Sequence, residues 1–135
     1  MKIEEQVLNM SQVQKLIELG FNVRKHSSIF YAPNWEIKWG EYEIQDYELV
    51  IGELREEDID CIPTLTIGDI IDILPKEIIN DDVDYYFTID QEYVTYSNTY
   101  LDGYSVSFLR GNLIDKLFEC LKYCIKNNYI KLDKD

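Results

Sequence analysis

Between Gly111 and Asn127 the chain carries Ile114, Leu117, Phe118, Leu121, Cys124 and Ile125 at steps of three and four residues. That spacing gathers the apolar side chains on one face of a long helix. A helix with such a stripe has to lay it against a second layer of structure. Asn127-Asn128 supplies the stop, since asparagine tolerates the left-handed conformation that ends helices.

The segments that answer the helix alternate with period two. Tyr85, Phe87 and Ile89 share one face, with Val94 and Tyr96 opposite them across a hairpin whose loop contains Gln91-Glu92. Tyr104, Val106 and Phe108 alternate with Ser105 and Ser107 as a last strand. Earlier, Ser28–Tyr31 reads as a strand, Pro33-Asn34 as a turn, and WEIKWGEYEI as a hairpin closed by a type II′ loop at Gly40-Glu41. This register sets Trp39 against Tyr42, Lys38 against Glu43 and Ile37 against Ile44. The alternation then shifts from Tyr42 and Ile44 to Tyr47, Leu49 and Ile51, which predicts a bulge or turn at Gln45-Asp46 and a bent or third strand.

Two shorter helices complete the pattern. Ser11 and Gln14 read as a capping box, Val13, Leu16 and Ile17 as a buried face, and Gly20-Phe21 as a Schellman stop after Leu19. Arg24 to Ser27 reads as a polar link. After an acidic loop over 53–60, Thr66 caps a second helix with Asp69 at N3. Ile67, Ile70, Ile71 and Leu74 form its stripe, Leu65 staples to Ile70, and Pro75 ends it. The predicted order is α-β-β-(β)-α-β-β-β-α: a single α+β domain over residues 1–135, with one antiparallel sheet of five or six strands and three helices mainly on one face.

With 135 residues, 46% hydrophobic and 13% aromatic, the chain has apolar area enough for one core. No stretch approaches the roughly 20 apolar residues of a membrane-crossing helix, and the first residues lack a secretory pattern. Cys61, Cys120 and Cys124 form neither an even framework nor a CxxC pair. A cytoplasmic setting with free thiols is the expectation. The net charge of −13 argues against nucleic-acid binding by phosphate neutralisation. The charge is uneven: nine acids and one arginine give residues 41–60 a net −8.

Familiar chemistries find little support. His26 is the only histidine, reads as an exposed loop residue, and has no nucleophile motif beside it. Cys120 and Cys124 lie one helical turn apart and read as small buried hydrophobes, two thiols being too few for zinc. Asn80, Asp81, Asp82 and Asp84 offer oxygen ligands without the glycine and distal glutamate of a calcium loop, and read as a solvated turn. Asp69 and Asp72 read as the solvent side of their helix. Six scattered glycines make no phosphate loop. No catalytic residue, metal or cofactor is expected.

What remains is the mixture of aromatics and acids over residues 35–60. On an antiparallel sheet it has two readings. In one, Trp35, Trp39, Tyr42 and Tyr47 enter the core and the acids face water. In the other, Trp35, Trp39 and Tyr42 with Glu41, Glu43, Asp46, Glu48, Glu53, Glu56, Glu57 and Asp58 form a surface that receives a basic protein by charge pairing and cation–π contact.

The segments EEQVLNMSQVQKLIELGF, IPTLTIGDIIDILPKEI and LIDKLFECLKYCIKNNYI together resemble a family of small uncharacterised proteins encoded by bacteriophages, prophages and mobile elements of gut bacteria. The resemblance covers about half of the chain and carries no catalytic signature. It implies an accessory role in the host cell cytoplasm, including interference with host or defence proteins. The expectation is a non-enzymatic acidic module that binds a protein with a basic surface, without direct nucleic-acid or membrane contact and with homo-oligomers allowed. The alternative is a small-molecule or nucleotide-derivative binder with a cleft lined by Tyr85, Tyr86, Tyr93, Tyr96, Tyr100 and Tyr104.

Overall fold

The computed structural model describes residues 2–55, 58–90, 92–98 and 105–132. After a short turn of 3-10 helix at Ile3–Glu5 come α1 (Met10–Glu18), α2 (Val23–His26), β1 (Ile29–Lys38), β2 (Glu41–Ile51), β3 (Ile62–Thr64) and α3 (Ile67–Ile73). Then follow β4 (Glu77–Asn80), β5 (Val83–Ile89), β6 (Val94–Ser97), β7 (Ser105–Phe108) and α4 (Leu113–Lys126). The α+β class holds, but the expected single sheet is two antiparallel sheets, ordered β2-β1-β3 and β4-β5-β6-β7. Two strands and one helix escaped the sequence because they are short. β3 is three residues with Pro63 at its centre, β4 has four, and α2 is a single turn capped by Asn22 inside the segment read as a polar link.

α4 buries all six residues of the stripe and adds Cys120. It lies against β6 and β7 and packs along α3. Ile78, Tyr85, Val94 and Tyr96 fill the sheet side of this core, while α1 contributes Val13 and Leu16 and α3 contributes Ile70. β5 and β6 pair in the expected register, Phe87 with Tyr96 and Ile89 with Val94. β4 and β5 are joined at Asp81-Asp82, both with positive φ, so the acidic cluster is a hairpin turn. α4 ends as expected: Asn128 has φ +62, its amide donates to the Ile125 carbonyl, and that of Tyr129 donates to Cys124.

α1 repeats that ending with Gly20 at φ +89 and the Phe21 amide on the Leu16 carbonyl. Its beginning differs from the expectation. Asn9 is the cap and Gln12 the reciprocal partner, so the helix starts two residues before the Ser11–Gln14 box would allow. That frame buries Val13 and Leu16 and leaves Ile17 exposed. Gln12 is thereby placed to donate from Nε2 to Asp115 at 2.9 Å, tying the starts of α1 and α4 together. α3 follows its predicted caps, with Thr66 and Asp69 bonded reciprocally and Leu65 and Ile70 both fully buried. Asp69 is not simply solvent-facing, because its carboxylate also accepts from Ser28 Oγ at 2.8 Å.

Candidate functional site

β1 and β2 form a hairpin far longer than the core needs. At its base β1 is central, paired with β2 on one side and, through Ile29, Phe30 and Tyr31, with β3 on the other. Beyond Tyr31 that second edge pairs with no strand among the described residues, which is why Pro33, expected to turn the chain, continues a strand instead. From Trp35 to Asp46 every residue but Glu36 is exposed. No residue of 35–51 belongs to the core cluster or packs against it. The hairpin therefore projects as an arm, about 15 Å from Trp35 to its tip at the usual rise per strand residue.

The tip is not the expected Gly40-Glu41 loop. Trp39 (φ +54) and Gly40 (φ +78) form the two-residue turn, a type I′ geometry that matches strand twist, and Lys38 pairs with Glu41. Ile37 then faces Tyr42 rather than Ile44, and Trp35 faces Ile44. The two registers differ by a slide of two residues along β2. Such a slide leaves each side chain on its own face, so the hydrophobic pattern cannot choose between them. The bulge appears where the alternation shifts: Asn34 pairs with Asp46 and Trp35 with Ile44, leaving Gln45 as the extra residue.

This arrangement gives the arm two unlike faces. One carries Trp35 (48% exposed), Ile37 (65%), Tyr42 (73%) and Ile44 (37%), and Trp39 at the turn is 100% exposed. Trp35, Trp39 and Tyr42 are thus outside the core, contrary to the core-in reading, because the strands outrun the described elements that would cover them. Side chains of this size expose on the order of 600 Å² together, at the upper end for a patch on a monomer. The opposite face carries Glu36, Lys38, Glu41 and Glu43. Glu36 and Glu43 stand directly opposite each other, a like-charge pairing eased by the Lys38–Glu36 ion pair at 3.2 Å. Glu41, Glu43 and Glu48 hold no ion pair among the described residues. Five acids and one lysine give residues 35–48 a net −4.

Nearer the base the acids have structural tasks. Asp46 accepts from Asn34 Nδ2 at 2.7 Å beside the bulge, and half-buried Asp58 accepts from the Arg55 amide at 3.0 Å. Glu53 is exposed, and Glu56 and Glu57 lie outside the described residues. Tyr47 is half-buried and pairs with Pro33. Ile37 and Ile44 belong to the apolar face although charge and aromaticity did not single them out. Their signal was the strict alternation with Trp35 and Tyr42.

Other candidates resolve into structural roles. His26 ends α2 half-buried and stacks on Phe21 at 5.3 Å, rather than standing in an exposed loop. Cys120 and Cys124 are fully buried as expected, and Tyr96 Oη accepts from Cys124 Sγ at 3.7 Å while donating to the Pro75 carbonyl at 2.8 Å. Donation to Cys124 and burial push the Cys120 thiol far up, and burial does the same for the Tyr96 phenol. Burial and the neighbouring Asp58 and Asp60 carboxylates raise the Cys61 thiol, with Arg24 opposing. The bond from Cys120 draws the Cys124 thiol down against its own burial, so it is the raised Cys120 and Cys61 thiols that oppose thiolate chemistry at neutral pH.

Of the six tyrosines expected to line a cleft, Tyr85 and Tyr96 are in the core, Tyr86 lies exposed on the other side of β5, Tyr93 is half-buried, and Tyr100 and Tyr104 lie outside the described residues. An open cleft of about 690 Å³ lies instead between α1, β7 and α4, lined by residues including Gln12, Phe108, Arg110 and Phe118. Among the described residues no group of three or more His, Cys, Asp or Glu side chains is placed to hold a metal ion, and no helix is long and apolar enough to cross a membrane. No protein-family model, curated protein or solved structure matches the chain.

Proposed function

We propose that the chain is a non-enzymatic protein-binding module that presents the β1–β2 arm to a basic surface on another protein. The observation that carries the reading is the exposed apolar face of the arm, Trp35, Ile37, Tyr42 and Ile44, beside Glu41, Glu43 and Glu48, which hold no ion pair among the described residues. No described element covers this face, which together with Trp39 stands at the upper end of apolar patches on monomers. The acids argue for a cationic partner: they steer a basic protein from a distance and disfavour an anionic membrane or nucleic acid. The likeness of three segments to phage and mobile-element proteins supports the setting, an accessory factor that occupies a functional basic surface of a host or defence protein.

Purification of partners from a bacterial host lysate, followed by titration of the purified partner at two salt concentrations, tests the reading. Affinity is expected to fall with salt and with the double substitution Glu41→Lys/Glu43→Lys. A partner indifferent to both, or the absence of any basic partner, refutes it.

A further inference from the structure

The arm's tip carries a residue that folding does not explain. A type I′ turn needs positive φ at both central positions, and the residues that adopt it readily are Asn, Asp and Gly. Gly40 satisfies the second position, but the first holds Trp39 at φ +54, where a bulky side chain is an outlier. Burial does not compensate the strain, since Trp39 is fully exposed and its ring stacks on no neighbour among the described residues. The other described two-residue hairpin turn, Asp81-Asp82, fills both its positive-φ positions with aspartate. The largest side chain of the set thus stands where local physics favours a small polar one.

We infer that Trp39 is the binding anchor of the arm, inserting into an apolar pocket on a protein partner whose rim carries arginine or lysine. This rests on the proposed function and names the residue and the partner chemistry. Trp and Arg dominate the energetics of interfaces because a large rigid surface is desolvated at little entropic cost. Glu41 follows the turn directly and stands opposite Lys38 in the ladder, so the arm's tip offers a cation both a carboxylate and an exposed indole. The exposed apolar area of the arm, on the order of 600 Å², approaches the roughly 800 Å² that one partner contributes to a standard interface. A second copy is a poorer occupant, because each arm carries a net −4 over residues 35–48 and two arms would repel.

The decisive variant is Trp39→Asn, for which the inference gives opposite signs to stability and binding. Relief of the left-handed strain is expected to raise Tm by about 3 °C. Photo-crosslinking from position 37 in bacterial lysate would name the partner, which is then purified and titrated. Its affinity is expected to fall at least about 30-fold for Trp39→Asn, as for a hot-spot residue. A lower Tm for Trp39→Asn overturns the inference. So does a purified partner that binds Trp39→Asn as tightly as the parent. If that partner still loses affinity with Glu41→Lys/Glu43→Lys, only the anchor falls; if no basic protein is captured, anchor and proposed function fall together. Two further results would name a different occupant and overturn the inference: a dimer in sedimentation dissolved by Trp39→Asn, or a blue shift of tryptophan emission on vesicles of phosphatidylcholine and phosphatidylglycerol.

Discussion

Removing one hydroxyl from the core and one from its margin should have unequal consequences, although each leaves a phenylalanine of the same shape. Tyr96 is fully buried and donates to the Pro75 carbonyl at 2.8 Å, the group that follows the end of α3. In Tyr96→Phe that carbonyl loses its partner and the Cys124 thiol loses its acceptor. The lost bond and the orphaned acceptor together cost about 2 kcal/mol. For a domain of this size that is a drop in Tm of about 8 °C. Tyr31 donates to the Leu8 carbonyl at 2.9 Å, but the same oxygen also accepts from Thr64 Oγ1. Tyr31→Phe therefore leaves the acceptor satisfied and should cost only about 0.5 kcal/mol. The compensation can itself be removed. In a Thr64→Val background, Tyr31→Phe orphans the carbonyl and should cost about 1 kcal/mol more than it does alone, a coupling that a double-mutant cycle in urea resolves. Equal losses for Tyr96→Phe and Tyr31→Phe, or an additive cycle, would refute the reasoning.

Three further outcomes follow from the same structure. Its bond to Cys124 and burial hold the Cys120 thiol above its ordinary value, so its contribution is present below about pH 8.5 and is lost as rising pH ionises the thiol in the unfolded chain. Urea unfolding should show stability falling by up to about 1.4 kcal/mol per pH unit per such group above that point, less steeply in Cys120→Ala; a flat profile from pH 8 to 10.5 would contradict this. Asn9→Ala should destabilise by about 1 kcal/mol and Ser11→Ala by almost nothing in the same assay, the reverse of what a Ser11 cap requires. Gly111→Ala should lower Tm, because φ is +85 and a new Cβ would lie 2.7 Å from the Asp115 side chain; an unchanged Tm would show that the turn relaxes.

The parts legible in the sequence were those in which several local signals coincide on the same residues. The stripe, Asn128 stop and buried cysteines of α4, the Thr66 box of α3 and the β5–β6 register all follow from pattern and chemistry acting together. The misses came from degeneracy. Asn9–Gln12 and Ser11–Gln14 offer the same capping chemistry two residues apart, and only tertiary packing, including the Gln12–Asp115 bond, separates them. The arm's registers place the same side chains on the same faces, so the hydrophobic pattern does not distinguish them, and local turn chemistry favours Gly40-Glu41 over the Trp39-Gly40 turn that forms. Whether a sheet face is covered depends on what other elements reach it. That is why the mixture of aromatics and acids in residues 35–48 was readable as a two-faced hairpin but not as an exposed one.

The claim that the arm serves binding and not folding has a direct measurement. Replacing residues 35–45 by Asn-Gly closes the hairpin at the Asn34–Asp46 pair and leaves every core residue in place. Calorimetry of this chain, with titration against the partner captured by the parent, should give a Tm within a few degrees of the parent and no detectable binding. A shortened chain that fails to fold, or one that still binds that partner, would contradict the account.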